Sequence, residues 1–274
     1  MDVLEESVGI LMFDMKTWVS PLLAAGIAAY AASWLLLLAR RRAAGRSALA
    51  AGCVIASALA VVNGLLAGEP PLGNMYHALA ALAVCLPPLY LWLDRRAGLG
   101  WTAAYFAFPS LVAMIGALCM KSGANWQRAP ALQSPWFVPH VLAYMLSYAL
   151  AAVAFALLAA RWGRRGFGRA VDAAAYASAS HQILRLAFPF MTFGLLSGAL
   201  WAEQAWGAYW SWDPKETWSL ITWTCYLAYL HCRRAPGTER YADAAHTLAF
   251  VALLITFLLV NLLPRIGGGL HSYA

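Results

Sequence analysis

Apolar residues gather in eight runs, near residues 17–39, 47–67, 75–93, 99–119, 138–160, 186–204, 215–232 and 245–264, separated by short polar stretches. A helix rising 1.5 Å per residue needs about 20 residues to cross a hydrocarbon core of ~30 Å, so each run predicts one membrane-spanning helix. The third, sixth and seventh are the shortest. Residues 170–185 predict a further short helix lying along the membrane surface. No internal repeat is visible and the loops are too short for a second domain. The pattern therefore predicts an all-α, polytopic membrane protein with a single integral-membrane domain over 1–274.

Composition sharpens this picture. The chain is 62% hydrophobic and 11% charged, with mean hydropathy +0.63, more apolar surface than a soluble domain of this length can bury. The net charge of +7 invites a nucleic-acid reading, which its distribution excludes. Arg40, Arg41, Arg42 and Arg46, then Arg95 and Arg96, then Arg161, Arg164, Arg165 and Arg169, then Arg233, Arg234 and Arg240 fall in every second loop. That is the positive-inside pattern, so the charge reports topology and the partner is membrane lipid. Both termini are then outside, together with Gly68–Asn74, Lys121–Trp136 and a tryptophan-rich segment. Asp2, Glu5, Glu6 and Asp14 precede the first run, opposite to the basic start of a cleavable leader. The five cysteines form no Cys-x-x-Cys, which argues against thiol relay and against heme attached to this chain; they read as small buried hydrophobes.

The tryptophan-rich segment is the most informative stretch. Trp206, Tyr209, Trp210, Trp212, Asp213, Lys215 and Trp218 lie within 13 residues between two apolar runs. Interfacial tryptophan is ordinary as a belt anchor, but this density exceeds what anchoring needs. Trp206 and Trp210 share a face if the stretch is helical, and Trp210 and Trp212 share one if it is extended. Either way the rings offer an aromatic floor with a charged edge, suited to a flat, apolar, dianionic macrocycle whose carboxylates Lys215 or nearby arginines can meet. Asp213, Pro214 and Glu216 also read as N-cap, first helical residue and capping-box partner of the seventh span.

Imidazole is a common axial ligand of heme iron. His140, after Pro135-Trp136-Phe137-Val138-Pro139, and His271, after Gly267-Gly268-Gly269-Leu270, both fall outside at the depth of the floor. They are the two outer imidazoles that could hold six-coordinate iron; interfacial histidines bonded to water or headgroups are the plainer alternative. His231 lies 18 residues after Asp213, about 27 Å along a helix, near the inner face beside Arg233 and Arg234. There it could ligate entering heme while those arginines meet its propionates, or simply snorkel among basic residues. His246 comes to the same depth and reads as structural or as a partner of His231. His77 reads as a polar helix-start residue or a third outer imidazole, and His181 as solvated surface.

The run Trp206-Gly207-Ala208-Tyr209-Trp210-Ser211-Trp212-Asp213-Pro214-Lys215-Glu216-Thr217-Trp218 resembles the tryptophan-rich "WWD" signature (here 204–218) of heme-handling proteins in cytochrome c maturation. Within them the chain is similar to the CcsA (ResC) family, the integral-membrane part of the System II cytochrome c synthase. Ala202-Glu203-Gln204-Ala205, Leu230-His231-Cys232-Arg233, Pro71-Leu72-Gly73-Asn74-Met75-Tyr76 and Gly269-Leu270-His271-Ser272-Tyr273 extend the likeness over roughly residues 70–274. His77 departs from the glutamate expected there.

This resemblance implies a multi-pass protein of the bacterial inner membrane with the signature on the periplasmic side. It implies heme b as the substrate in transit, held outside by His140 and His271 and inside by His231, whose opposite ligand comes from a CcsB/ResB-like membrane partner. The second substrate is an apocytochrome c with a Cys-x-x-Cys-His motif, and the complex is a holocytochrome c synthase (heme lyase) in which this chain supplies no nucleophile. Two alternatives stay open: a heme exporter or chaperone without ligase activity, and a quinol-linked cytochrome b-type subunit using paired histidines.

Overall fold

In a computed structural model the protein is all-α, and the structure describes residues 2–68, 72, 74–120, 133–166 and 172–259. The helices are α1 (Asp2–Leu38), α2 (Arg42–Ala67), α3 (Met75–Ala97), α4 (Ala103–Cys119), α5 (Phe137–Gly166), α6 (Ala173–Trp206), α7 (Pro214–Cys232) and α8 (Ala242–Leu254), with a π-helical turn Ile255–Leu259 after α8. Seven described helical stretches are long and apolar enough to cross a membrane. The exception is α7: its 19 residues suffice in length, but Lys215, Glu216 and His231 lower its apolar content.

Two expectations need correction. The separate surface helix expected at 170–185 is not found among the described residues, because residues 173–206 form one 34-residue helix. Asp172 caps its start by accepting from the Ala175 N–H at 3.0 Å, and Pro189 is the one proline inside the helix. His181 is consequently half-buried, its ring 6.0 Å from that of Tyr229, rather than solvated. Nor is Arg161 a loop residue. It sits inside α5, is 7% exposed, and pairs with Asp243 of α8. The cysteines are half-buried apart from Cys119, which is exposed.

The chain divides into two compact units, Met1–Arg128 and Ala129–Ala274. In the first, α1–α4 pack with several buried polar groups paired, as a low-dielectric interior favours. Tyr30 Oη donates to the Ala83 carbonyl at 3.0 Å, Ser33 Oγ to that of Gly45 at 2.8 Å, and Asn63 Nδ2 to Tyr76 Oη at 3.1 Å. Arg46 bridges Asp94 (3.4 Å) and the Gly100 carbonyl (3.2 Å), so its charge is held at a helix end. His77 lies in the first turn of α3, 4% exposed, with its N–H capped by Asn74 Oδ1 at 2.9 Å.

In the second unit α5 and α6 pack along their length, and α7 and α8 pack on them and on each other. Leu150, Val153, Ala154 and Leu157 of α5 are fully buried. Trp223 of α7 stacks on Phe188 of α6 (5.5 Å, 28°) and donates Nε1–H to Thr192 Oγ1 at 2.9 Å. Phe155 of α5 stacks on Phe250 of α8 at 4.1 Å and 12°. These contacts hold α7 in register, so its ends define the two ends of the unit.

Candidate functional site

At one end of the second unit, α5 and α6 converge on His140. Ser134 Oγ accepts the Trp136 N–H (3.2 Å) and donates to Gln204 Oε1 of α6 (2.6 Å), tying the start of α5 to the end of α6. One turn into α5, His140 Nδ1 lies 2.8 Å from the Gly194 carbonyl. A carbonyl can only accept, so Nδ1 carries the proton and Nε2 carries the lone pair. A carbonyl holding the far ring nitrogen in this way fixes the orientation an imidazole needs to bind a metal.

The ring fits because α6 presents glycine there. A Cβ on Gly198 would fall 2.6 Å from His140 Cε1 and 2.7 Å from Nδ1, and one on Gly194 would fall 3.1 Å from the Tyr144 ring. The Gly194–Gly198 spacing of four places both on one face, the small-residue pattern that lets membrane helices approach closely. His140 then stacks on Trp201 (5.6 Å, 24°) and meets Tyr144 edge-on (5.0 Å, 86°), while Trp201 meets Trp206 at 4.8 Å.

Helix α6 ends at Trp206 because Gly207 takes a left-handed conformation, φ 78°, with its N–H on the Glu203 carbonyl. The helical alternative for the tryptophan segment therefore stops there. Beyond it Glu216 organises the loop. Its Oε2 accepts from the Ser211 N–H (2.7 Å), Ser211 Oγ (3.2 Å) and the Asp213 N–H (3.3 Å), while Asp213 Oδ1 caps the Glu216 N–H at 2.8 Å. The capping box is thus present, with Pro214 opening α7.

Two N–H groups aimed at one carboxylate oxygen force the residue between them to turn. Trp212 accordingly has φ 59°, a conformation that costs a bulky residue on the order of 1–3 kcal/mol. Its indole is 69% exposed and meets Trp210 edge-on at 5.7 Å; Tyr209 is 58% exposed. Lys215 and Trp218 are half-buried in the first turns of α7. The aromatic surface is therefore stepped, with one pair, Trp201 and Trp206, at the end of α6 and another, Trp210 and Trp212, on the loop.

At the other end of α7 the arrangement differs. His231 is exposed, and its Nδ1 lies 2.8 Å from the Leu227 carbonyl of its own helix, which again leaves the lone pair on Nε2. Arg233 does not join it. With Tyr229 it lies on the opposite face, lining a pocket with Arg161, Asp243 and His246. His246 is 2% exposed, packed among Phe155, Tyr226 and Tyr229 at 5.4–6.0 Å between ring centres. His231 and His246 thus face different surroundings, which does not match the paired imidazoles of a cytochrome b subunit.

The structure brings Trp206 to His140 and Asp213 to its loop, and separates His231 from both; His271 lies outside the described residues. Trp201, Gly194, Gly198, Tyr144 and the clamping role of Glu216 were not singled out from sequence. The Gly-x-x-x-Gly spacing was the one available signal.

The Cytochrome C assembly protein family matches residues 72–266. The cytochrome c biogenesis protein CcsA of Chlamydomonas reinhardtii is 37% identical over 228 residues, covering 75% of this chain and 61% of that protein. CcsA of Synechococcus sp. (strain WH7803) is 30% identical over 318 residues, covering 95% and 97%. CcsA of Thermosynechococcus vestitus is 31% identical over 281 residues, covering 84% and 87%. Among solved structures, the cytochrome c heme lyase CcmF is similar with TM-score 0.65 at 21% identity, over 90% of this chain and 46% of that one. At that identity the likeness is one of fold.

Proposed function

This chain belongs to the cytochrome c assembly protein family, and we propose that it carries heme b across a bacterial inner membrane and presents it beside the tryptophan loop to apocytochrome c. The seating of His140 carries this reading. A ring whose Nδ1–H is held by the Gly194 carbonyl and whose face rests on Trp201 offers Nε2 as a preset axial ligand. His271 would supply the opposite ligand, and Trp206, Tyr209, Trp210, Trp212, Asp213, Lys215 and Trp218 the surroundings of the macrocycle. The His140 end of the second unit would then face the periplasm and the His231 end the cytoplasm.

Chemistry at this site needs little from the chain. Adding a thiol S–H across a heme vinyl group forms the C–S bond and places the hydrogen on the neighbouring carbon, with no atom gained or lost. The substrate's cysteines are the nucleophiles, and the chain contributes position, holding the vinyl edge in reach of the Cys-x-x-Cys-His motif. The substrate's histidine would then replace one outer imidazole and release the product. At the other end, an exposed His231 with its proton fixed on Nδ1 suits a ligand set completed in trans by a CcsB/ResB-like subunit.

Replacing His140 by glycine in the complex with that subunit should abolish both the low-spin bis-histidine spectrum and cytochrome c maturation, and added imidazole should partly restore both. Normal maturation by a His140→Ala, His271→Ala double variant would overturn the assignment. Heme export without any thioether product would favour a heme chaperone.

A further inference from the structure

The pocket at the His231 end of the second unit has no part in the functions above. It measures about 10 Å³, space for a water-sized group. It lies among α5, α6, α7 and α8, with Arg161, Tyr176, Ser180, Tyr229, Arg233 and His246 in its wall. Three of those side chains carry buried nitrogens without a partner: Arg161 Nε, Arg233 Nε and His246 Nε2. Tyr226 Oη, beside His246, is a fourth such atom. Arg161 and His246 are 7% and 2% exposed. Buried polar groups are nearly always satisfied, and each unsatisfied one costs on the order of 1–3 kcal/mol. Two guanidinium N–H groups in one pocket wall call for an acceptor oxygen.

Charge points the same way. Asp243 pairs with Arg161 through Nη2, so two guanidinium groups and one carboxylate leave an excess of one positive charge in the wall. That excess favours an anionic acceptor. Size restricts it further. A water-sized space admits a single oxygen atom of an acid group, with the rest of the ligand outside. Tyr229 and Arg233 lie on the face of α7 opposite His231, since two residues on a helix subtend about 200°. Heme ligated by His231 would thus not reach this pocket at the same time.

We propose that this pocket receives one propionate carboxylate of heme before the iron reaches His231, through Arg161 Nε and Arg233 Nε. This rests on the heme-carrying reading above. The protein would hold its cargo first by a carboxylate and then by iron, so the pocket selects a macrocycle with free acid arms.

The test uses the full chain in phosphatidylcholine nanodiscs, titrated with ferric heme b and with its dimethyl ester. The variants are Arg233→Gln and a double variant, Arg161→Met with Asp243→Leu, which removes the ion pair without stranding either charge. Each variant should weaken heme binding roughly tenfold, the loss expected for a charge-assisted hydrogen bond, and leave ester binding unchanged. Equal losses for heme and ester would mean a structural role, and no loss would mean that the pocket holds only water; either overturns the proposal. If phosphatidylglycerol in the nanodisc abolishes the difference between heme and ester, the occupant is a lipid phosphate, and the carboxylate assignment falls. Heme that binds neither wild type nor variants would sink the heme-carrying reading itself, a result distinct from all of these.

Discussion

His140 and His231 stand at opposite ends of one helical unit and share a tautomer, each with Nδ1 held 2.8 Å from a backbone carbonyl. The origin of that carbonyl separates them. For His140 it is Gly194, on another helix 54 residues away; for His231 it is Leu227, one turn back on its own helix. His140 is gripped by glycine-lined backbone, Trp201 and Tyr144, so its ring has one place to lie. His231 is exposed, and the surfaces gripping it are those of α7 alone. One imidazole is positioned by tertiary packing and the other by local helix geometry, which is what a site built within the chain and a site shared with a partner would each need.

The strongest way to break this comparison is to remove His231. If heme enters there, His231→Ala should empty both ends in cells, whereas His140→Gly should leave heme stalled at the His231 end; heme spectra of the two variants, with and without the ResB-like subunit, measure this. A His231→Ala protein that fills its outer site normally would mean that heme arrives from outside or from the lipid. A sharper and smaller perturbation is Gly198→Ala. Its methyl would meet His140 Cε1 at 2.6 Å, and overpacking of this kind costs about 1–3 kcal/mol. Low-spin heme at the outer site should fall roughly tenfold while heme at His231 is unchanged; equal loss at both ends would show that the glycine serves general packing.

The smallest effects belong to the loop. Glu216→Ala strands the N–H groups of Ser211 and Asp213 and should loosen the Trp210–Trp212 pair at a cost of about 1–3 kcal/mol. Asp213→Ala removes only the cap, about 1 kcal/mol. Near-ultraviolet circular dichroism and denaturation should rank them in that order, and the reverse ranking would show that the cap, rather than the carboxylate clamp, shapes the loop.

Most of the helical plan was legible because it rests on local rules. Apolar length placed seven of the described helices, and Asp213-Pro214-Lys215-Glu216 announced the start of α7. The surface helix at 170–185 was misplaced because a polar, small-residue stretch looks interfacial until packing against Tyr229 makes it the first part of α6. Arg161 was read as a topological charge because its counter-ion, Asp243, stands 82 residues later.

Sequence by itself determined that the chain is helical and membrane-spanning and where α7 starts, since hydrophobic length and capping act within a few residues. Tertiary structure alone decided how residues far apart in the chain meet: the proton on His140 fixed by a carbonyl from α6, Trp201 laid against its ring, Trp212 turned outward by Glu216, and Arg233 brought into one pocket wall with Arg161 and His246. Each depends on a helix face or a loop turn meeting a specific neighbour, and packing geometry of that kind has no local signature.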